Sequence, residues 1–413
     1  MKKIKPIKIG SRFVGTGYPV YIIFEVASTH ANDWEIAKRY VSQAKEAGAD
    51  ALKFQLFTAD KILNPLTTGL KDTYDYFKKS ETPRKWFPKL LKLCKSAELD
   101  LLCTPFDEES ATFLNNIGVP AMKIASGELT NHQFLSHVAR FGIPVILSTG
   151  MATMEEIRAA VKVLQDNGCK DLVLLQCVSV YPMPYEDANV RVMQTLQEEF
   201  GCIVGYSDNG SEGHIVPLLA VALGASIIEK HVTSQKARGN LDDKFSMSVE
   251  EFTQMVKRIR QLEKEYKGQS KDAVKDLKKE FGDDVQKALG NGVKIPAPHG
   301  TKITNPGVKG EFIQKEADER HWARRGVYPA RMIPKGTIIT SDMLIALRPY
   351  IGVSAPLFNQ IIGKVSKEDL PAKYPIMIEG NRVRRFKKKD IAKTYIHNQE
   401  KQFVKVILQE ATF

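Results

Sequence analysis

Single lysines, glutamates, serines and one histidine interrupt stretches that are otherwise apolar. They are Glu25 in VYIIFEVA, Lys53 and Gln55 in ALKFQLF, Thr104 in DLLCTPF, and Lys123 and Ser126 in AMKIAS with Glu128 just beyond. Ser148 follows in PVILSTG, Ser179 and Tyr181 in DLVLLQCVSVYP, Ser207 and Asp208 in CIVGYSD, and Glu229, Lys230 and His231 in SIIEKHVT. A buried lysine or glutamate costs several kcal/mol unless it is paired, so any one of these reads equally well as a structural ion pair. Polar groups at corresponding places in nearly every apolar run instead imply one convergent site. Its chemistry would be cationic and hydroxylic: Lys53, Lys123, Ser179 and Ser207 suit a phosphate together with a carboxylate. Glu25, Glu128 and Asp242 remain as acid/base groups or as ligands for sugar hydroxyls. His231 is the best candidate metal ligand, since neutral imidazole suits Mn, Fe or Zn. Lys53, Lys123 and Lys230 also admit a Schiff-base aldolase acting on pyruvate, because a desolvated lysine is an amine nucleophile.

The elements that must position these groups read as eight strands over 20–27, 51–57, 100–106, 121–126, 144–150, 171–182, 202–208 and 226–233. Continuous apolar runs of this kind fit parallel strands covered on both faces. Alternation with helical patterns gives right-handed βαβ units, and eight of them favour closure into a (β/α)8 TIM barrel, an α/β fold. Barrel chemistry gathers at the C-terminal strand ends, where these polar residues fall. Thr153 with Glu156 is a capping box ahead of a helix stopped at Gly168, and Asp33 caps a helix stopped at Gly48. The stretch from Thr58 to Pro83 reads as a long loop over the barrel mouth.

Past residue 263 the character of the chain changes. A charged helical stretch (264–284) leads into the Pro/Gly linker KIPAPHGTKITNPGVKG (294–310), and a compact β-rich unit follows. In that unit MIPKGTIIT (332–340) and DLPAKYPIMI (369–378) look like two degenerate copies of one turn-and-strand motif. The expected division is a catalytic barrel over 1–263, a helical and linker insertion over 264–320, a small β domain over 321–395 and a tail over 396–413. Hydrophobic content of 43% and charged content of 26% describe a soluble globular protein. MKKIKPIKIGSRF at the start has no apolar run behind it, and no segment approaches the ~18 apolar residues of a membrane span. Five scattered cysteines with no CxxC indicate neither disulfides nor a zinc knuckle, so the expectation is cytoplasmic, with no membrane partner. A net charge of +12, much of it in Arg382–Lys389, reads as a solvated basic face with an anionic small substrate rather than as nucleic-acid binding.

GYSD (205–208), ALGASIIEKHVT (222–233), ALKFQ (51–55), MKIASGEL (122–129), ILSTGM (146–151) and VYPMPYED (180–187) closely resemble the N-acetylneuraminate (sialic acid) synthase family. ARRGVYPARMIPKGTIITSDMLIALRP (323–349) resembles the family's antifreeze-like (SAF) domain. The resemblance implies a transferase of carbohydrate biosynthesis. It would condense phosphoenolpyruvate with an N-acylmannosamine-type amino sugar, giving a nine-carbon 2-keto-3-deoxy acid and phosphate, with Mn2+ or Mg2+ as cofactor. It implies that Lys53, Lys123, Ser179 and Ser207 hold phosphoenolpyruvate, and that Glu25, Gln55, Glu128, Tyr181 and Asp242 serve the sugar and proton transfers, with Ser126 and Ser148 as further substrate-binding candidates. Arg348 would reach from the SAF domain of one subunit into the barrel of its partner, in a domain-swapped homodimer. The sequence departs from the family pattern at three places. Asn209 stands where a histidine metal ligand is usual, its carbonyl oxygen a weaker ligand that favours Mg or Mn, Asn240-Leu241-Asp242 replaces GPD, and the first loop reads Thr29-His30-Ala31-Asn32. Those departures leave a catalytically impaired carbohydrate-binding homologue as a further alternative.

Overall fold

The computed structural model describes residues 4–67, 71–210, 213–234, 241–266, 270–292 and 322–395, with Glu316, Glu319, Arg320, Lys401, Val404 and Lys405. Two short strands, β1 (Ile7–Ile9) and β2 (Arg12–Val14), form a hairpin. Eight parallel strands follow: β3 (Tyr21–Glu25), β4 (Ala51–Leu56), β5 (Asp100–Pro105), β6 (Met122–Ile124), β7 (Val145–Ser148), β8 (Leu172–Gln176), β9 (Ile203–Asp208) and β10 (Ile227–Thr233). Each pairs with the next, and β10 returns to β3, closing the barrel. A two-residue strand, β11 (Met247–Ser248), pairs in parallel with the C-terminal end of β10. All eight expected strands are present. The sixth stops at Gln176, and residues 177–182 leave the sheet as a loop carrying Ser179 and Tyr181.

The pleat explains how an apolar sequence builds a polar mouth. Side chains alternate between faces along each strand. Outward positions such as Ile22, Phe24, Leu52, Leu101, Leu147 and Leu174 pack in one core with the surrounding helices. Inward positions Tyr21, Ile23, Ala51, Leu102, Ala121, Ile146, Val173 and Ile227 form a second core, which Ile7, Ile9 and Val14 of the hairpin plug from below. The next inward positions toward the strand C-termini are Glu25, Lys53, Thr104, Lys123, Ser148, Ser207 and Glu229. The lower barrel is therefore dry and closed, and the upper layer is polar.

Local signals that position the loops hold as read. Thr153 and Glu156 form the capping box of helix Met154–Asp166. Asp33 accepts from the N–H groups of Glu35 and Ile36 at the start of helix Trp34–Glu46. Gly48 and Gly168 take left-handed φ angles of 81° and 103° just past those helices. The stretch read as a loop over 58–83 is instead partly helical, with Ala59–Ile62 and Lys71–Ser80. Its apolar residues were too few to show a helical period, but Ile62 and Leu63 pack with Phe57 and Phe106 and partly buried Phe77, which holds it down. Helix Val249–Tyr266 runs through the boundary expected at 263, and helices Lys271–Phe281 and Asp283–Leu289 bury Ala273, Leu277, Val285 and Leu289 in the barrel's outer core. The Pro/Gly linker, Asn240 and most of the tail lie outside the described residues.

The small domain is built from β12 (Gly326–Pro329) paired with β13 (Leu344–Leu347), and from β14 (Val365–Ser366), β16 (Arg382–Arg385) and β15 (Ile376–Glu379) in that order. Ile333 and Leu370 exchange both backbone hydrogen bonds at 2.9 Å, which joins the two turn-and-strand copies at equivalent positions. In the basic run, Arg384 pairs with Asp390 at 2.7 Å and Arg385 with Glu368 at 2.9 Å, while Phe386 is buried. Among the described residues no helix is long and apolar enough to cross a membrane.

Candidate active site

Strand register assembles the floor of the site. Glu25 lies beside Lys53 on one neighbour and His231 on the other, and Ser207 lies beside Glu229. Lys53 Nζ sits 2.6 Å from Glu25 Oε2, donates to Thr104 Oγ1 at 3.2 Å and is 3.6 Å from Glu229 Oε2. Lys123 Nζ donates to Ser148 Oγ at 2.7 Å and is 3.5 Å from Glu229 Oε1, which also accepts from Ser207 Oγ at 2.9 Å. Gln55 donates to Glu25 Oε1 at 3.0 Å. Two lysines thus share Glu229 on a floor where every charged group is buried.

The floor carboxylates are driven apart. Burial pushes Glu25 up, Lys53 only partly offsets it, and the charge on Glu229 adds to the rise. Burial would also raise Glu229, but the Lys123 and Lys53 ammonium groups outweigh it and hold this carboxyl well below its usual range. Neighbouring carboxyls with opposite shifts can divide into a proton carrier and a fixed charge. Burial would lower Lys53, yet Glu229 and Glu25 keep it above its ordinary value, whereas burial lowers Lys123.

Parity separates Lys230 and Asp208 from this set. Both point outward, with Tyr206 and Ile228, and they form a buried ion pair at 2.5 Å. Lys230 also donates to the carbonyl of Gly210. These are structural groups between barrel and helices.

The rim has three sectors. Ser126 Oγ accepts from the Gly150 N–H at 3.0 Å and lies 3.2 Å from Cys177 Sγ, while the Ser179 N–H donates to Glu316 Oε1 at 2.8 Å. In the second sector, Glu128 is gripped by Arg325 at 2.7 Å and Arg348 at 3.2 Å, with Asn131 donating at 3.1 Å. Burial would raise Glu128, but the arginines hold it below its ordinary value. Its carboxylate is thereby anchored between the two guanidinium groups. Arg325 also donates to the carbonyls of Lys61, Ala346 and Phe106, each at 2.7 Å, clamping barrel loops to the small domain. Arg348 rests against the Phe106 and Trp322 rings at 5.5 and 5.6 Å. Its contact with Glu128 is made within one chain.

In the third sector Asp242 accepts from the Ser28 N–H at 2.9 Å and from the Ser28 hydroxyl. Tyr181, 45% exposed, presents its ring edgewise to His231 at 6.3 Å. His231 is buried, its Nδ1 has no hydrogen-bond partner, and burial keeps the ring neutral. That is the state in which an imidazole ligates a metal. Asn209 is buried with its amide nitrogen donating to the Val178 carbonyl at 2.7 Å. Among the described residues no three His, Cys, Asp or Glu side chains are grouped to hold an ion. The unpartnered Nδ1 of His231 is a donor of the kind a divalent ion takes. His30, by contrast, is used up: Nε2 contacts Thr82 Oγ1 at 2.9 Å and Nδ1 accepts from the Asn32 N–H at 3.0 Å.

Glu25, Lys53, Gln55, Lys123, Ser148 and Ser207 therefore meet on the floor, while Ser126, Glu128, Ser179, Tyr181, Asp242, His231 and Arg348 ring it. Asn209 turns toward the loop backbone. The functional roles of Glu229, Arg325 and Glu316 were not assigned from the sequence. Glu229 carried the strand-end signal, Arg325 stood in the Ala323–Gly326 motif, and Glu316 had no signal.

A family model described as the NeuB family matches residues 40–271, and one described as the SAF domain matches residues 324–379. The N,N'-diacetyllegionaminic acid synthase of Legionella pneumophila is 34% identical over 87% of this chain and 93% of its own. The pseudaminic acid synthase of Campylobacter jejuni is 31% identical over 86% and 94%. The crystal structure of the spore coat polysaccharide biosynthesis protein SpsE from Bacillus subtilis superposes with a TM-score of 0.72 at 29% identity, over 90% of this chain and 97% of that one. With these matches in the same order along the chain, it belongs to the NeuB family and carries a C-terminal SAF domain.

Proposed function

We propose that the protein is a nonulosonic acid synthase. It would condense phosphoenolpyruvate with the open-chain aldehyde of an N-acylmannosamine-type amino sugar, yielding a nine-carbon 2-keto-3-deoxy acid and phosphate. The observation that carries this reading is the floor, where Lys53 and Lys123 share Glu229 beside the hydroxyls of Thr104, Ser148 and Ser207. Two buried ammonium groups that share one carboxylate suit a substrate with two anionic ends. The names of the Legionella and Campylobacter relatives point to the same product class.

Carbon 3 of phosphoenolpyruvate forms the new bond to the aldehyde carbon, whose oxygen takes a proton. Water adds at carbon 2, and phosphate departs with the bridging oxygen as the carbon–oxygen bond breaks. Lys53, Lys123, Ser148 and Ser207, with Ser126 and Ser179 at the rim, hold the phosphate and carboxylate. Glu25, raised by burial and oriented by Gln55, carries the proton delivered to the former aldehyde oxygen. Glu128 positions Arg348, which with Tyr181 and Asp242 takes the acceptor's hydroxyls. His231 would hold Mn2+ or Mg2+, which when bound polarises the aldehyde.

The same reading makes the protein a cytoplasmic homodimer. The Arg348–Glu128 contact, made here within one chain, would form between chains when protomers exchange SAF domains. A Schiff-base aldolase is the second reading, and desolvated Lys123 is the lysine that favours it. Phosphate release from phosphoenolpyruvate with a panel of amino sugars, in Mn2+, Mg2+ or chelator, tests the synthase. Sugar-dependent release stopped by chelator supports it. Borohydride trapping of pyruvate on Lys123, without such release, would replace it with the aldolase.

A further inference from the structure

Glu316 precedes the small domain and is only 3% exposed. Its Oε1 accepts from two backbone N–H groups on neighbouring barrel loops, Met151 at 2.9 Å and Ser179 at 2.8 Å. Gly150, next to Met151 on the first of these loops, is where an added Cβ would crowd both Ser179 Oγ and Ser126 Oγ. Two amides and two hydroxyls therefore converge at one place beyond the ends of β7 and β8. Backbone amides converging on one oxygen form an anion site, and this one lies at the catalytic end of the barrel.

The anion now in that site is a side chain of the protein, whichever protomer supplies it in the dimer proposed above. The segment carrying it is pinned to the same loop, since Arg324 donates to the Met151 carbonyl at 3.0 Å and Arg320 bonds Glu156 at 2.9 Å. With Glu316 in place, a third carboxylate joins those of Glu25 and Glu229 against the ammonium groups of Lys53 and Lys123, while Arg325 and Arg348 at the rim are already engaged with Glu128. Such a balance opposes entry of a multiply charged anion. We propose that Glu316 is a tethered competitor, occupying a subsite for one anionic group of phosphoenolpyruvate and withdrawing when that substrate binds. This rests on the synthase reading of the same mouth.

A tethered group that occupies its site about nine-tenths of the time weakens an incoming ligand about tenfold, since apparent affinity scales with the free fraction. Glu316→Gln keeps the shape and an acceptor oxygen but loses the charge, and Glu316→Ala removes the competitor. Phosphoenolpyruvate binding to the full-length protein, measured by calorimetry without sugar, should tighten about tenfold for Glu316→Ala and by a smaller factor for Glu316→Gln. Melting curves of both variants establish that they are folded. Wild type that binds, with variants that bind equally or more weakly, would overturn the inference and leave the synthase reading standing. If neither wild type nor variants bind phosphoenolpyruvate, the substrate assignment fails and the inference with it.

Discussion

At the scale of single residues, Lys53 and Lys123 have different surroundings and should fail differently. Lys53 lies between two buried carboxylates, so Lys53→Ala leaves Glu25 without its nearest cation and Glu229 with Lys123 alone. Breaking a buried pair in this way costs about 3–5 kcal/mol, and a urea titration should show a clear loss of stability along with loss of turnover. Lys123→Ala removes the less tightly paired amine. It should lower kcat/KM about 100- to 1000-fold with a smaller shift in the urea midpoint. Equal destabilisation by both would contradict the pairing described here. Gly127 offers a gentler test, because an added Cβ would lie 2.6 Å from Arg348 Nη2. Gly127→Ala should displace that guanidinium, raising KM for the sugar several-fold while phosphoenolpyruvate binding holds. Polar residues in apolar runs made the floor legible from the sequence alone. Which lysine faced inward was settled only by counting parity from observed register, and that count moved Lys230 out of the site.

At the scale of elements, strands were the most legible part because each is a continuous apolar run with a polar end. The sixth was read too long, since Cys177 and Val178 continue its apolar pattern after the backbone has left the sheet. The helices at 59–62 and 71–80 were hidden because their stability comes from packing under the small domain rather than from their own periodicity. Helix Met154–Asp166 links capping to docking. Glu156, its N3 residue, closes the capping box and also binds Arg320 and Arg324. Burial would raise its pKa, but these arginines hold it at about 2, with His132 also nearby. A carboxyl depressed in the folded state contributes stability that is complete above its unfolded value of 4.5 and is lost as pH falls toward 2. Unfolding midpoints should decline across that window, and Glu156→Gln should flatten the decline while lowering stability at neutral pH. An unchanged profile would remove Glu156 from the docking account.

At the scale of the whole molecule, the contacts joining the barrel to the small domain were the least legible feature. They depend on Arg325 meeting three carbonyls and Glu128, partners scattered from residue 61 to residue 346. Nothing local in a sequence encodes such a meeting. Domain exchange between protomers can be tested by co-expressing Lys123→Ala with Arg348→Ala. A mixed dimer with exchanged domains rebuilds one intact mouth, so about a quarter of wild-type activity should return. No recovery in mixed dimers would confine each small domain to its own barrel. The central claim, that this mouth joins phosphoenolpyruvate to a sugar, is tested most directly by isotope. Phosphoenolpyruvate labelled with heavy oxygen at the bridging position is supplied with the sugar that supports phosphate release, and both products are weighed. The account predicts a sugar lengthened by three carbons and the label in the phosphate. Unlabelled phosphate, or pyruvate released beside an unaltered sugar, would contradict it.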